Sequence, residues 1–155
     1  MPFIPKFFIF IEKSKMARRD TILEAVRNAV ENDGWKITHD PLYIEIDNGE
    51  YVLEIDLGAE RVIAAEKGNE KIAIEIKSFA APSILNGFHG ALGQYLDYRD
   101  ALEESSIDRA LFLAVTEEIY AKMEDIRFIK RRIEKYGMKV VVIDIETSKV
   151  VAWKS

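Results

Sequence analysis

Residues Leu53 to Phe79 read LEIDLGAERVIAAEKGNEKIAIEIKSF. Two apolar runs, Arg61 to Ala65 and Lys71 to Ser78, flank the turn signal Lys67-Gly68-Asn69 and predict paired strands. Glu75 and Lys77 lie two apart, so a strand puts both on one side, while Ile74 and Ile76 point to the other. A bare Glu-x-Lys pair on a solvated sheet face needs no purpose. Here Ile72, Ala73, Ile74, Ile76 and Phe79 surround it, which predicts a central strand, where charges are less easily dismissed as solvation. Asp56 lies near the end of the preceding run, Tyr51 to Leu57, and the turn at Gly68-Asn69 would bring Glu75 back toward it. Two carboxylates plus the main-chain carbonyl of Ile76 could then hold a divalent cation through oxygen ligands. Lys77 would stand beside it, placed to stabilise a phosphorane or position a water.

Upstream, Trp35 to Thr38 and Tyr43 to Ile46 alternate as strands do, broken by Asp40-Pro41. Asn48-Gly49 is a hairpin signal, and the whole centre is expected to be an antiparallel meander. Asp20 is expected to cap a helix over TILEAVRNAVEND, whose stripe is Ile22, Ala25, Val26, Ala29 and Val30, with Gly34 ending it. Downstream, Ser83 caps a long helix through about Glu104, and Arg109 to Val115 is a buried strand. Thr116 caps a short helix, Ile126 to Tyr136 is another ended by Gly137, and Met138 to Ile145 and Val150 to Trp153 are strands. This order predicts an α/β (α+β) domain with one central mixed sheet flanked by helices.

The 155 residues suit one domain, and 48% hydrophobic with 32% charged residues suits a cored globule. Cysteine is absent and there are two histidines, His39 and His89, so thiolate and three-histidine metal sites are excluded. A metal would sit on carboxylates, favouring Mg²⁺ or Mn²⁺. His39 reads as a turn residue, and His89, between Phe88 and Gly90, as a structural one. Residues 1–15 do not join the core pattern and are expected to be an extension to a single domain over 16–155, read either as a hydrophobic tail that packs on a partner or, the favoured reading, as an over-extended start with Met16 the natural one. Their apolar run, Phe7 to Ile11, is too short to span a bilayer, so no membrane partner is expected.

The net charge of −5 argues against nucleic-acid binding over the whole surface. Between Arg127 and Lys139, however, Arg127, Lys130, Arg131, Arg132, Lys135 and Lys139 face a single acid, Glu134. Two readings stand, a solvated helix face and a phosphate-contacting one. No aromatic ladder is interleaved, so single-strand stacking is not indicated.

Asp56, eighteen intervening residues, then Glu75-Ile76-Lys77 resembles the D…E-x-K active site of the restriction endonuclease-like PD-(D/E)xK fold. Ile55 stands where that motif's name places a proline. At closer range, DGWKITHDPLYI, IDLGAE, VIAAEKGNEKIAIEIKSF, FHGALGQYLDYRDAL and the final VVAWKS resemble the XisH family of excision controlling factors, found mainly in cyanobacteria. The resemblance runs over 16–155 and implies site-specific excision of a DNA element, with DNA and a small XisI-type protein as partners, in the cytoplasm. Homo-oligomerisation is left open. Carried over by position, Asp56 and Glu75 would be metal ligands with the Ile76 carbonyl, and Lys77 the catalytic lysine. Glu24 on the first helix is the candidate further carboxylate, its alternative an exposed helix glutamate. Gln94 and Tyr98, four apart on the next helix, resemble a Q-x-x-x-Y element in which the glutamine approaches the active site; the alternative is a buried hydrogen-bonder and a core tyrosine.

The leading expectation is therefore a Mg²⁺-dependent DNA endonuclease-like factor. Its rival is a non-catalytic accessory factor that binds the partner or DNA and assists a separate recombinase. On that rival reading Lys77 is a partly exposed strand residue.

Overall fold

Turn and cap chemistry sets the element order in this computed structural model, which describes residues 6–53, 61–79 and 83–155. Helix α1 runs Lys6–Asn32, followed by strands β1 (Lys36–His39), β2 (Ile44–Ile46), β3 (Tyr51–Leu53), β4 (Arg61–Lys67) and β5 (Glu70–Ile76). Helix α2 (Ile84–Glu104) and strand β6 (Ala110–Thr116) come next, then helices α3 (Glu117–Glu124) and α4 (Arg127–Tyr136) and strands β7 (Lys139–Asp144) and β8 (Lys149–Lys154). Ser83 caps α2, its hydroxyl accepting from the Asn86 N–H at 3.1 Å, and Thr116 caps α3, accepting from the Ile119 N–H at 3.2 Å. Gly137, at φ 58°, ends α4: its N–H donates to the Glu134 carbonyl and the Met138 N–H to the Ile133 carbonyl.

Asp20 does not begin the first helix. No Gly or Pro lies between Lys6 and Asn32, so nothing interrupts the helix upstream of Asp20, which becomes an interior position.

Among the described residues, six strands form the main sheet in the order β1-β4-β5-β6-β7-β8. The pairings β1/β4, β4/β5 and β7/β8 are antiparallel, whereas β5/β6 and β6/β7 are parallel. The expected single meander is corrected in one respect. Strands β2 and β3 form a separate antiparallel hairpin, turned by Asp47, Asn48 and Gly49 at φ 54°, 56° and 86°. The break at Asp40-Pro41 takes the chain out of the sheet, so β1 pairs with β4 instead. Within those limits the molecule is a mixed α/β domain with helices flanking a mixed sheet.

Strand alternation divides the core in two. Ile72, Ile74 and Ile76 of β5, with Ile63, Ala65, Ala114, Val141 and Ile143, meet Ile22, Val26, Ala29 and Val30 of α1. On the opposite face Val62, Ala73, Leu113, Val115, Val140 and Val142 meet Phe88, Ala91, Tyr95 and Tyr98 of α2, Ile119 and Met123 of α3, and Ile129 of α4. Covering both faces explains why β5, β6 and β7 are near-continuous apolar runs. Among the described residues, no helix is long and apolar enough to cross a membrane.

Candidate functional site

Glu75 interrupts the apolar run of β5, third of the six strands, between Val62 of β4 and Leu113 of β6. Parity puts it on the α2 side of the sheet, where it is 0% exposed. Lys77 follows on the same face at the C-terminal end of β5 and is 6% exposed. Its main-chain N–H donates to the Ala114 carbonyl at 3.3 Å, which holds this end of the chain against β6. Its ammonium lies 3.8 Å from the Glu75 carboxylate and donates to the side-chain carbonyl of Gln94, half-buried on α2. Tyr95, one residue on, donates its hydroxyl to the Leu111 carbonyl at 2.9 Å and accepts from the Lys139 N–H at 3.0 Å. Burial pushes the Tyr95 hydroxyl's pKa up, and the Glu75 charge adds to that.

The structure thus brings Glu75, Lys77 and Gln94 together. Glu24 is not among them: it is exposed on α1, which covers the other face of the sheet. Tyr98 is buried in the core on the α2 side, and His89 is exposed on α2. His39 is exposed at the end of β1, its ring nitrogen Nδ1 3.0 Å from the Thr38 hydroxyl. Asp56 lies outside the described residues. Lys77 departs from the partly exposed position expected on the accessory reading, because α2 covers the end of β5 and supplies Gln94.

The donor set expected for Mg²⁺ or Mn²⁺ includes Asp56, which is not among the described residues. No group of three or more His, Asp or Glu side chains among the described residues could hold a metal ion. Glu75 contributes one carboxylate, and its near neighbour is an ammonium. The side chain of Ile76 is buried on the α1 face, and no described acidic cluster would complete a ligand set with its carbonyl.

A cleft that the sequence reading missed lies at the opposite end of β5 and β6. It has a volume of about 1370 Å³ and is lined by Trp35, Phe112, Trp153, Lys67, Lys71 and Arg109, among others. The Trp153 indole N–H donates to the Asp33 carboxylate at 2.9 Å, and Lys67 donates to the Asp33 main-chain carbonyl at 2.8 Å. Arg109 is committed to the fold, donating to the Ile72 carbonyl at 3.3 Å and pairing with Glu66 at 3.2 Å. The available signal was the shared strand face of Phe112 and Trp153, next to the end of α1.

The basic window also divides. Arg127, Lys130, Arg131 and Lys135 are exposed along α4 and Arg132 is half-buried. Lys139 sits on β7 with its ammonium 5.9 Å from the Phe112 ring centroid, on the α1 side of the sheet.

These features define a mixed α/β domain with a buried acid–lysine–glutamine cluster where its longest sheet strands meet a covering helix. The XisH protein family matches residues 16–151. The fold is similar to the crystal structure of an XisH family protein from Nostoc punctiforme PCC 73102, at 37% identity and a TM-score of 0.78, over 87% of this chain and 99% of that one. It is also similar to an FdxN element excision controlling factor protein from Anabaena variabilis, at 38% identity and a TM-score of 0.78, over 88% and 99% of the two chains. The chain belongs to the XisH family. No curated protein matches it.

The expectation of a Mg²⁺-dependent endonuclease is thereby corrected. The relative from Anabaena variabilis is an excision controlling factor, and the described residues of this chain hold no metal-binding cluster. The fold stands as mixed α/β, without a specific restriction endonuclease-like assignment.

Proposed function

We propose that this chain is a non-catalytic accessory factor in excision of a DNA element, binding DNA and a small XisI-type partner while a separate recombinase breaks and joins the strands. The burial of Glu75 and Lys77 carries this reading. A hydrolytic lysine and carboxylate must reach a phosphodiester, whereas here both are almost fully covered and lie 3.8 Å apart. Their physical role is to pin the C-terminal end of β5 to α2 through Gln94. The naming of the relative from Anabaena variabilis as a controlling factor supports the same role.

The test is an excision reporter that supplies the recombinase and the XisI-type partner, with and without this chain. The chain should raise excision only when the recombinase is present. Strand cleavage by the purified chain alone would overturn the reading.

A further inference from the structure

We propose that the outer face of α4 binds the phosphate backbone of duplex DNA, seating one phosphate among Arg131, Arg132 and Lys135. The proposal rests on the accessory-factor reading and names its DNA-contacting surface.

Charge distribution is the first support. The ten residues of α4, Arg127 to Tyr136, carry five basic and one acidic side chain, while the other 145 carry 17 basic and 26 acidic. A polyanion is repelled by most of the surface and attracted here, so the charge fixes orientation as well as place. Helix geometry is the second. Ile129 is buried and Ile133 and Tyr136 are half-buried, which turns Arg127, Lys130, Arg131 and Lys135 outward along one face. The eight rises from Arg127 to Lys135 span about 12 Å at 1.5 Å each, close to the width of the DNA major groove. Contacts to phosphates on both sides of one groove are within reach of that stripe.

The third support is local order. The Arg132 guanidinium lies 4.6 Å from the ring centroid of Phe128 and that of Arg131 lies 5.9 Å from it. Phe128 is 39% exposed, so the ring is a surface platform that holds both forks in place. Arg131, Arg132, Glu134 and Lys135 line a shallow concavity of about 470 Å³. The Arg132 Nε is buried with no hydrogen-bond partner among the described residues. Lys130 pairs with Glu124 at 3.3 Å, but Arg127, Arg131 and Lys135 enter no ion pair among the described residues. Planar guanidinium forks match phosphate bidentately, which favours a nucleic-acid backbone over a diffuse attraction to acidic protein. Phe128 already carries Arg132 on its ring, which argues against base stacking and for duplex rather than single-stranded DNA.

The experiment is fluorescence anisotropy of a labelled duplex with the full chain across a salt series. Log affinity should fall against log salt with a slope of about 3–4, as expected for roughly four neutralised phosphates. Arg127→Gln/Arg131→Gln/Lys135→Gln should lower that slope to about 1 and weaken binding at low salt at least tenfold. Lys36→Gln/Lys71→Gln/Lys149→Gln removes the same charge from exposed lysines elsewhere and should bind nearly as the wild type does. Circular dichroism and thermal midpoints should match for all three proteins. Equal losses in the two variants would overturn the assignment to α4 and leave the accessory reading standing. An α4 variant that keeps DNA affinity but no longer captures an acidic partner protein would also overturn it, in favour of a protein surface. Cutting of the duplex by the wild-type chain would remove the accessory reading itself.

Discussion

The Lys77 ammonium lies 3.8 Å from the Glu75 carboxylate, on the buried α2 side of β5, with Gln94 accepting from the lysine. Removing one member takes away an opposite charge close to the other in a covered place, and breaking a buried pair costs about 3–5 kcal/mol. Glu75→Ala and Lys77→Ala should each approach that loss in urea unfolding. Glu75→Gln/Lys77→Met keeps the volume and removes both charges, so it should cost clearly less than the two single losses added together. A Lys77→Ala change within about 0.5 kcal/mol, the usual range for surface substitutions, would mean that the pair does not hold the fold.

Helix α2 ends without a glycine. Ser106, at φ 55°, donates its N–H to the Glu103 carbonyl at 3.0 Å, and the Ile107 N–H donates to the Leu102 carbonyl at 2.9 Å. This is the Schellman arrangement with an L-residue in the left-handed region. That conformation costs an L-residue roughly 1–2 kcal/mol, partly offset by the greater unfolded-state freedom of glycine. Ser106→Gly should therefore stabilise the chain by about 0.5–1 kcal/mol. Thermal and urea unfolding check it, and a loss of stability would show that the serine side chain contributes more than the backbone saves.

Ser83 and Thr116 each satisfy a main-chain N–H at a helix start. Replacing either by Ala should cost about 1 kcal/mol, within the range for lost caps. Ser83→Gly should cost only a few tenths. Unfolding curves that rank Ser83→Gly below Ser83→Ala would contradict the capping role.

Glu124 has a pKa lowered from the ordinary 4.5, first by a hydrogen bond from the Tyr120 hydroxyl and then by Lys130. On the other side of that bond, burial and then Glu124 push the Tyr120 hydroxyl up to about 12. A depressed carboxyl pKa gives stability that is present above about pH 4.5 and lost as pH falls through the folded value. Tyr120→Phe removes the main cause and should make the fall in stability below pH 4.5 shallower. Urea midpoints over that window measure it, and identical pH slopes for the two proteins would contradict the coupling.

Much of the fold was legible because local rules and the tertiary arrangement agree. The caps at Ser83 and Thr116, the ends at Gly34 and Gly137 and the hairpin at Asn48-Gly49 each depend on a few neighbouring residues. The alternation Ile72, Ile74, Ile76 against Ala73, Glu75, Lys77 correctly separated the two faces of β5. Periodicity says which residues share a face but not which layer covers it. That is why the burial of Lys77 under α2, the exposure of Glu24 on the far side and the separation of Lys139 from α4 came only from the structure. The start of α1 at Lys6 was hidden for another reason: Asp20 has good capping chemistry, yet nothing upstream breaks the helix. The Trp35–Phe112–Trp153 cleft joins residues from distant segments that no local motif links.

The most direct measurement is recombinase-dependent excision supported by Glu75→Gln/Lys77→Met, after its folding has been verified by circular dichroism and urea unfolding. A non-catalytic accessory role predicts excision within about twofold of wild type, since both residues serve the fold and neither meets DNA. Excision abolished in a variant that folds as the wild type does would contradict that role and return Glu75 and Lys77 to the chemistry of strand cleavage.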